Sequence, residues 1–326
     1  MEQSNRRAFL QTSAGAFALS LVPAAVGAKI SAGPPVSSSA TDSQKLAPAL
    51  ACNAGRKPLR LGLIISVDKD PDVTMRKLSD LDISTAQLYM NDLDPQNAAA
   101  LRQSLGKHKI EATSLVVGGP GKESWDFYDG PLTIGLLPRE TRAARIAHIK
   151  KASDFAKLTG IPAVQPHCGF IPENPNDPLY KETIDAMREV VTYCKQNAQN
   201  FRYETGQETP ITLIRAIHDV GTDNQGINFD LANLIMYGKS NPVDAIELLA
   251  PYVQGIHAKD GLWPVNPHDL GEEVPIGKGR VDFPRIIARL KEIRYGGAVT
   301  IEREVSGPEQ IRDVREAKAY LEKLIG

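Results

Sequence analysis

The sequence predicts a closed barrel of eight parallel strands, each followed by a helix: the (β/α)8 TIM-barrel form of the α/β class. Three observations carry that expectation. Strand-like apolar runs and amphipathic helical stretches alternate eight times from residue 59 onward. Residues 58–326 make a stretch long for an ordinary domain and usual for one barrel. The turn after the first strand lacks the Gly-x-Gly-x-x-Gly form that a dinucleotide-binding open sheet needs.

Leu59 to Ser66 reads as the first strand, followed by a helix from Pro71 to Leu81. Thr85 to Met90 is the second strand, with a helix from Pro95 to His108. Ile110 to Val117 is the third, leading into a Gly-rich excursion from Gly118 to Pro138 that carries Trp125, Phe127 and Tyr128. The next helix, Arg139 to Leu158, shows an apolar stripe (Ala143, Ile146, Ile149, Phe155, Ala156), and Gly160 stops it. Ala163 to Cys168, Phe201 to Thr205, Ile227 to Leu231, Val253 to Ala258 and Ala298 to Ile301 complete the strands. Their helices are expected at Lys181 to Asn197, Pro210 to Val220, Pro242 to Leu249, Phe283 to Ile293 and Glu309 to Leu324.

Ahead of the barrel, residues 1–28 read as an export signal. Arg6-Arg7-Ala8-Phe9-Leu10 precedes an apolar run from Ala14 to Val26, and small residues at Val26-Gly27-Ala28 mark a cleavage point. The paired arginines fit the twin-arginine route, so the twin-arginine export machinery is an expected partner and the periplasm or the exterior the expected location. The run, interrupted by Pro23, is too short for a stable membrane span after processing. Residues 29–57, rich in Ser, Ala, Pro and Gly, read as a flexible linker. The three cysteines, Cys52, Cys168 and Cys194, have no metal-like spacing and make no disulfide framework in so long a chain. Cys52 lies too far past the apolar run for a lipoprotein site, and Cys168 reads as a small buried residue. A net charge of −1 without a basic run argues against a nucleic-acid face.

Four strand-like runs end on residues that bind metals: Glu204, Asp230, His257 and Glu302. In a barrel of parallel strands, carboxyl-terminal strand ends face the active-site mouth, and strands five to eight are neighbours around the ring. Alone, each of the four has an ordinary explanation as a helix cap, a surface charge or a buried histidine. Together they make a candidate site for one divalent ion. Three oxygen donors and an imidazole favour Mn²⁺, with Mg²⁺, Co²⁺ or Zn²⁺ as alternatives. Such an ion would chelate adjacent sugar oxygens and polarise a carbonyl. Glu204 or Glu302 would then take a proton from the neighbouring carbon as the catalytic base.

Several segments occur in an order that resembles a known family: Glu204-Thr205-Gly206-Gln207-Glu208, Asn228-Phe229-Asp230-Leu231-Ala232-Asn233-Leu234, His257-Ala258-Lys259-Asp260-Gly261, Gly277-Lys278-Gly279-Arg280-Val281-Asp282-Phe283 and Ile301-Glu302-Arg303-Glu304. The set resembles the xylose isomerase-like TIM barrels, the sugar phosphate isomerase/epimerase group, over residues 59–325. That resemblance implies a divalent metal held by Glu204, Asp230, His257 and Glu302. It also exposes a departure. Many sugar epimerases of the group have a histidine three residues after the strand-six aspartate, where this chain has Asn233. An amide binds a sugar hydroxyl but does not shuttle a proton at neutral pH.

Further candidates for substrate contacts are weaker. His167, at the end of strand four, can face substrate or metal, or be structural. Gln87 can meet a hydroxyl from strand two. Lys259 can neutralise an oxyanion, or pair with Asp260 or Glu302. Arg280 can hold a hydroxyl or an anion, or lie in solvent. Trp125 and Trp263 belong to rim loops, where rings stack on sugars or merely pack. His108, His148 and His218 fall on helices and are expected at the surface, and His268 has no assigned role.

The reading that follows is a divalent-metal-dependent sugar isomerase or epimerase, with a small non-phosphorylated sugar or keto-sugar as substrate and an oligomer compatible with the sequence. A lyase or hydratase on keto-glycosides would use the same proton abstraction. A phosphodiesterase like the DNA-repair endonuclease IV branch would need more histidine ligands than His167 and His257 supply, and a non-catalytic sugar-binding protein would have no need of the four-ligand set. On export, the mature chain is expected to begin near Lys29. Replacing Arg6 and Arg7 by lysine should strand the precursor in the cytoplasm; fractionation that found the double variant exported normally would refute the twin-arginine assignment.

Overall fold

The computed structural model describes residues 58–90 and 92–326, so the expected signal (1–28) and linker (29–57) lie outside the described residues. Eight parallel strands close into a barrel in the order β1-β8-β7-β6-β5-β4-β3-β2. They are β1 (Arg60–Ser66), β2 (Thr85–Tyr89), β3 (Glu111–Val117), β4 (Ala163–Pro166), β5 (Asn200–Glu204), β6 (Gln225–Asp230), β7 (Val253–Ala258) and β8 (Ala298–Ile301). The principal helices are α1 (Pro71–Asp80), α2 (Ala98–His108), α3 (Arg139–Thr159), α4 (Pro178–Gln196), α5 (Pro210–Val220), α6 (Pro242–Leu249), α7 (Phe283–Glu292) and α8 (Pro308–Ile325). None of the described helices is long and apolar enough to cross a membrane.

Three helix starts share one device. Asp70, Asp177 and Asn241 accept a hydrogen bond from the backbone N–H two residues on, at 3.0, 2.8 and 2.8 Å, and a proline follows each as the first helical residue. The side-chain oxygen satisfies an otherwise orphaned donor, and proline lacks the donor that would have been orphaned beside it. This is why α4 begins at Pro178 rather than at Lys181. The α3 and α5 ends at Gly160 and Gly221 are left-handed, at φ 80° and 74°.

Side chains alternate across the strands, and the barrel's two faces differ in kind. Phe201, Tyr203, Ile227, Phe229, Ile256, Val299 and Ile301 are buried with the apolar core. Residues two apart on the other face are polar: Gln87, Ser114, Gln165, Glu204, Asn228, Asp230, His257 and Thr300, all buried. Polar atoms in such a place must bond one another. Ser114 Oγ donates to Gln165 Oε1 (3.0 Å), and Gln165 Nε2 donates to Glu204 Oε2 (3.1 Å). Gln87 Nε2 donates to Asn228 Oδ1 (2.8 Å). The barrel interior is thus cross-linked by side-chain hydrogen bonds rather than filled by aliphatic groups.

The loops above the mouth add structure that strand and helix periodicity does not reveal. A short helix, Gly130–Thr133, lies inside the Gly-rich excursion, and another, Leu231–Met236, starts directly at the end of β6. Asp260–Gly261 and Glu273–Val274 pair as a small antiparallel ribbon. Gly135, at φ 73°, crosses directly over the Cys168 backbone, leaving no room for a Cβ.

Candidate metal centre

Each of the four strand-end residues is carried to the mouth by its own strand: Glu204 by β5, Asp230 by β6, His257 by β7 and Glu302 by the residue after β8. One ligand atom from each lies within 4.8 Å of all the others. His257 Nδ1 sits 3.1 Å from Glu204 Oε1, 3.5 Å from Asp230 Oδ2 and 2.9 Å from Glu302 Oε2. The side chains of Glu204, Asp230 and His257 are at most 3% exposed, and that of Glu302 is 11% exposed. The far ring nitrogen, His257 Nε2, faces Gln87 Oε1 at 2.7 Å. An amide oxygen is an acceptor, so Nε2 carries the hydrogen and Nδ1 is the nitrogen aimed at the carboxylates.

The donor set suits a divalent cation. Asp230 Oδ2 and Glu302 Oε2 are buried, and the one donor nitrogen that His257 turns to them is shared with Glu204. Buried carboxylate oxygens require a donor or a cation. Three carboxylates with one imidazole fit Mn²⁺, Mg²⁺, Co²⁺ or Zn²⁺.

Without an ion, protons take over part of its role. Burial disfavours a charged His257, yet Glu302 and Glu204 outweigh it and raise the imidazole well above its usual value. Burial raises Glu302 likewise, but His257 and Lys259 overcome that and hold it well below the carboxylate range. Burial dominates at Asp230, whose carboxyl is pushed up to about 7. Its Oδ1 also accepts the Asn233 backbone N–H at 2.8 Å, capping the short helix that starts there.

The other expected contacts separate. His167 joins the cluster's edge: its Nε2 is 3.7 Å from Glu204 Oε2, and Trp125 packs edge-on against its ring at 4.7 Å. Its buried Nδ1 has no hydrogen-bond partner. Lys259, 1% exposed, reaches Glu304 Oε1 (2.5 Å), Asn233 Oδ1 (3.3 Å), Glu302 Oε2 (3.6 Å) and Asp230 Oδ2 (3.9 Å). Asn233 therefore lies beside the cluster with its amide oxygen turned to a cation. Gln87 differs from the expected hydroxyl contact. Its amide is spent on His257 and Asn228 and is 1% exposed, so it stands behind the imidazole. Arg280 takes the solvated alternative: it is exposed, and its backbone N–H bonds Gly261 O at 2.9 Å.

Of the two carboxylates offered as partners for Lys259, Glu302 is within reach, whereas Asp260 accepts backbone N–H groups from Gly261 (2.9 Å), Gly277 (2.9 Å), Gly279 (2.9 Å) and Val281 (3.1 Å). A Cβ at Gly279 would collide with this carboxylate. The His257-Ala258-Lys259-Asp260-Gly261 and Gly277 to Phe283 segments are thus one structural unit. Of the helical histidines, His108 is not free at the surface but half-buried, with Nε2 2.8 Å from Asp72 Oδ1 and Nδ1 3.2 Å from Ser79 Oγ. Burial pushes the Cys168 thiol well up, which fits a packing role. His268, unassigned from sequence, stacks on Tyr128 at the rim (5.5 Å, 14°).

Sequence reasoning missed Gln165, Asn228 and Glu304, which hold Glu204, Gln87 and Lys259. Their signal was available for the first two: polar residues at every second position of a buried strand. It also missed Glu208, which burial pushes up to about 8.

The xylose isomerase-like TIM barrel family model matches residues 75–324. Among solved structures, the chain is similar to a xylose isomerase domain protein from Planctomyces limnophilus, at 36% identity, covering 82% of this chain and 97% of that one, with a TM-score of 0.77. A D-tagatose 3-epimerase-like protein shares the fold at 21% identity and a TM-score of 0.64, with 82% and 97% covered. So does a xylose isomerase-like TIM barrel protein from Mycobacterium smegmatis solved in complex with magnesium, at 18% identity and a TM-score of 0.58, with 78% and 87% covered.

Two measurements probe the centre. Gln87→Leu removes the acceptor behind His257 Nε2 and should weaken divalent-metal affinity about 10- to 100-fold, read by titration calorimetry. Undiminished affinity would detach Gln87 from the site. Metal binding should also expel the His257 proton, and below about pH 7 one from Asp230 as well. Lowering pH therefore weakens binding, by about tenfold per pH unit for each proton displaced. Calorimetry in buffers of different ionisation enthalpy counts those protons; release of none would contradict the electrostatics.

Proposed function

Since the chain belongs to the xylose isomerase-like TIM barrel family, we propose that it is a divalent-metal-dependent isomerase or epimerase of a non-phosphorylated sugar or keto-sugar. One observation carries the reading: Glu204, Asp230 and His257, buried, and Glu302, partly buried, bring one ligand atom each to within 4.8 Å of the others at the barrel mouth, three carboxylates sharing a single imidazole nitrogen. The likeness to a D-tagatose 3-epimerase-like protein supports the reaction class. The paired Arg6-Arg7 supports export, and with it a substrate without phosphate.

A divalent ion held by Glu204, Asp230, His257 and Glu302 would supply Lewis-acid polarisation of a substrate carbonyl; Mn²⁺ is the proposed ion. The protein's own groups do the rest. Glu204 and Glu302 come from β5 and β8, flanking the Asp230 and His257 pair, so a carboxylate stands on either side of a substrate carbon placed between them. Either removes a proton, and the pair together would remove it from one face and return one to the other. Lys259 places a cation 3.6 Å from Glu302 Oε2, where it keeps that carboxylate ionised and able to accept. His167 and Asn233 border the substrate side, with Trp125 closing over His167.

Glu204→Gln and Glu302→Gln each keep an oxygen donor and remove basicity. At least one should retain metal and substrate yet lose turnover by roughly 10²-fold or more, with no exchange of substrate carbon-bound hydrogen in deuterated water. Near-normal turnover by both variants would eliminate the proton-transfer mechanism.

A further inference from the structure

The Gly-rich excursion after β3, Gly118 to Pro138, reaches across the mouth of the barrel. Its successive aromatic residues meet partners from strands farther and farther round the ring. Trp125 packs on His167 beyond β4 (4.7 Å), Phe127 on Tyr237 beyond β6 (6.4 Å) and Tyr128 on His268 beyond β7 (5.5 Å). In the closed ring, β3 and β7 stand four places apart and so face each other across the opening. The excursion is therefore a strap over the mouth. His167, which lies against it, is 3.7 Å from the carboxylate of Glu204.

The base and the tip of this strap are held differently. The base is clamped by Arg145 of α3, 2% exposed, which donates to Gly135 O (2.7 Å), Pro120 O (3.2 Å) and Lys122 O (3.2 Å). Buried hydrogen bonds from a charged donor are the strong kind. The tip is tied to itself. Ser124 N–H donates to Thr133 Oγ1 (3.0 Å), and Asp126 Oδ1 accepts the N–H groups of Tyr128 (2.8 Å) and Asp129 (2.6 Å). Such a tip keeps its shape when it moves. Its attachment to the far side is slighter: Tyr128 is 58% exposed, His268 is exposed as well, and a ring stack and one phenol–imidazole hydrogen bond join them. Contacts open to water are the first to break in local opening.

We propose that residues 124–133 form a lid over the metal centre, with Tyr128 and His268 as its latch. Shut, the lid sets Trp125 against His167 and covers the side of the mouth where His167 and Tyr237 lie. Unlatched, it swings on the base that Arg145 holds and uncovers them. A lid of this kind admits a ligand and then shields a charged intermediate from water. The proposal adds a moving part to the site and does not depend on which sugar binds there.

The test follows Trp125 in the Trp263→Phe chain, where it is the remaining one of two tryptophans. Quenching of its fluorescence by acrylamide reads how far the lid is open. His268→Ala removes the latch from the facing loop, alters no residue of the lid, and should raise the quenching constant about twofold or more. Tyr128→Cys with His268→Cys, in a Cys52→Ser background, allows the loops to be rejoined by a short bismaleimide, since Cys168 and Cys194 are buried. Linking should return quenching to that of the latched chain, and neither single-cysteine variant treated alike should show this. Equal quenching with and without His268 would overturn the proposal. So would a double-cysteine chain whose quenching is unchanged by the link, a comparison made within one folded sample. Neither metal nor sugar takes part, so the outcome stands apart from that of Glu204→Gln and Glu302→Gln.

Discussion

Three carboxylates converge in a space that excludes most water, and the mouth of the barrel depends on how their charge is balanced. Left bare, they would repel and stay poorly solvated. In the metal-free molecule the balance comes from a protonated His257, the Lys259 cation and a carboxyl at Asp230 pushed up to about 7. With a divalent ion, His257 would be neutral, and the ion's charge would join that of Lys259 in offsetting the carboxylates of Glu204, Asp230, Glu302 and Glu304. Lys259 is common to both states, which gives a physical reason for burying an ammonium at 1% exposure within 4 Å of two of them.

The polar barrel interior serves the same constraint. Glu204 is positioned by Gln165, itself bonded to Ser114; His257 is positioned by Gln87, itself bonded to Asn228. The orientations of Glu204 and His257 are thereby fixed by chains of hydrogen bonds anchored in rigid strands. An aliphatic interior would fill the barrel but leave the imidazole and carboxylates free to rotate. The apolar helix–strand interface supplies the cohesion that this polar interior does not.

Above the strands, loops shape access. Trp125 and His167 form one side, and Phe127 and Phe170 pack edge-on to Tyr237 on another. Asp260 gathers the loop from Gly277 to Val281 with backbone hydrogen bonds, so the Gly277-Lys278-Gly279 turn acts as scaffold. The side toward β1 is the least covered, and the cleft between α1 and α8 opens there.

Sequence alone determined the eightfold alternation, since a period of two or of 3.6 is written locally in the side chains. Pro210 to Val220, Pro242 to Leu249, Val253 to Ala258 and Ala298 to Ile301 coincide with the observed elements. It also determined that Glu204, Asp230, His257 and Glu302 meet, because ends of successive parallel strands must be neighbours in a closed ring. Tertiary structure decided what depends on side-chain direction and long-range closure. It turned Gln87 behind His257, gave Lys259 to Glu304 instead of Asp260, and left Arg280 in solvent. It also set α1 beside α8. Those two helices lie at opposite ends of the barrel sequence, so no local pattern could register the cleft between them; only closing β1 onto β8 creates it.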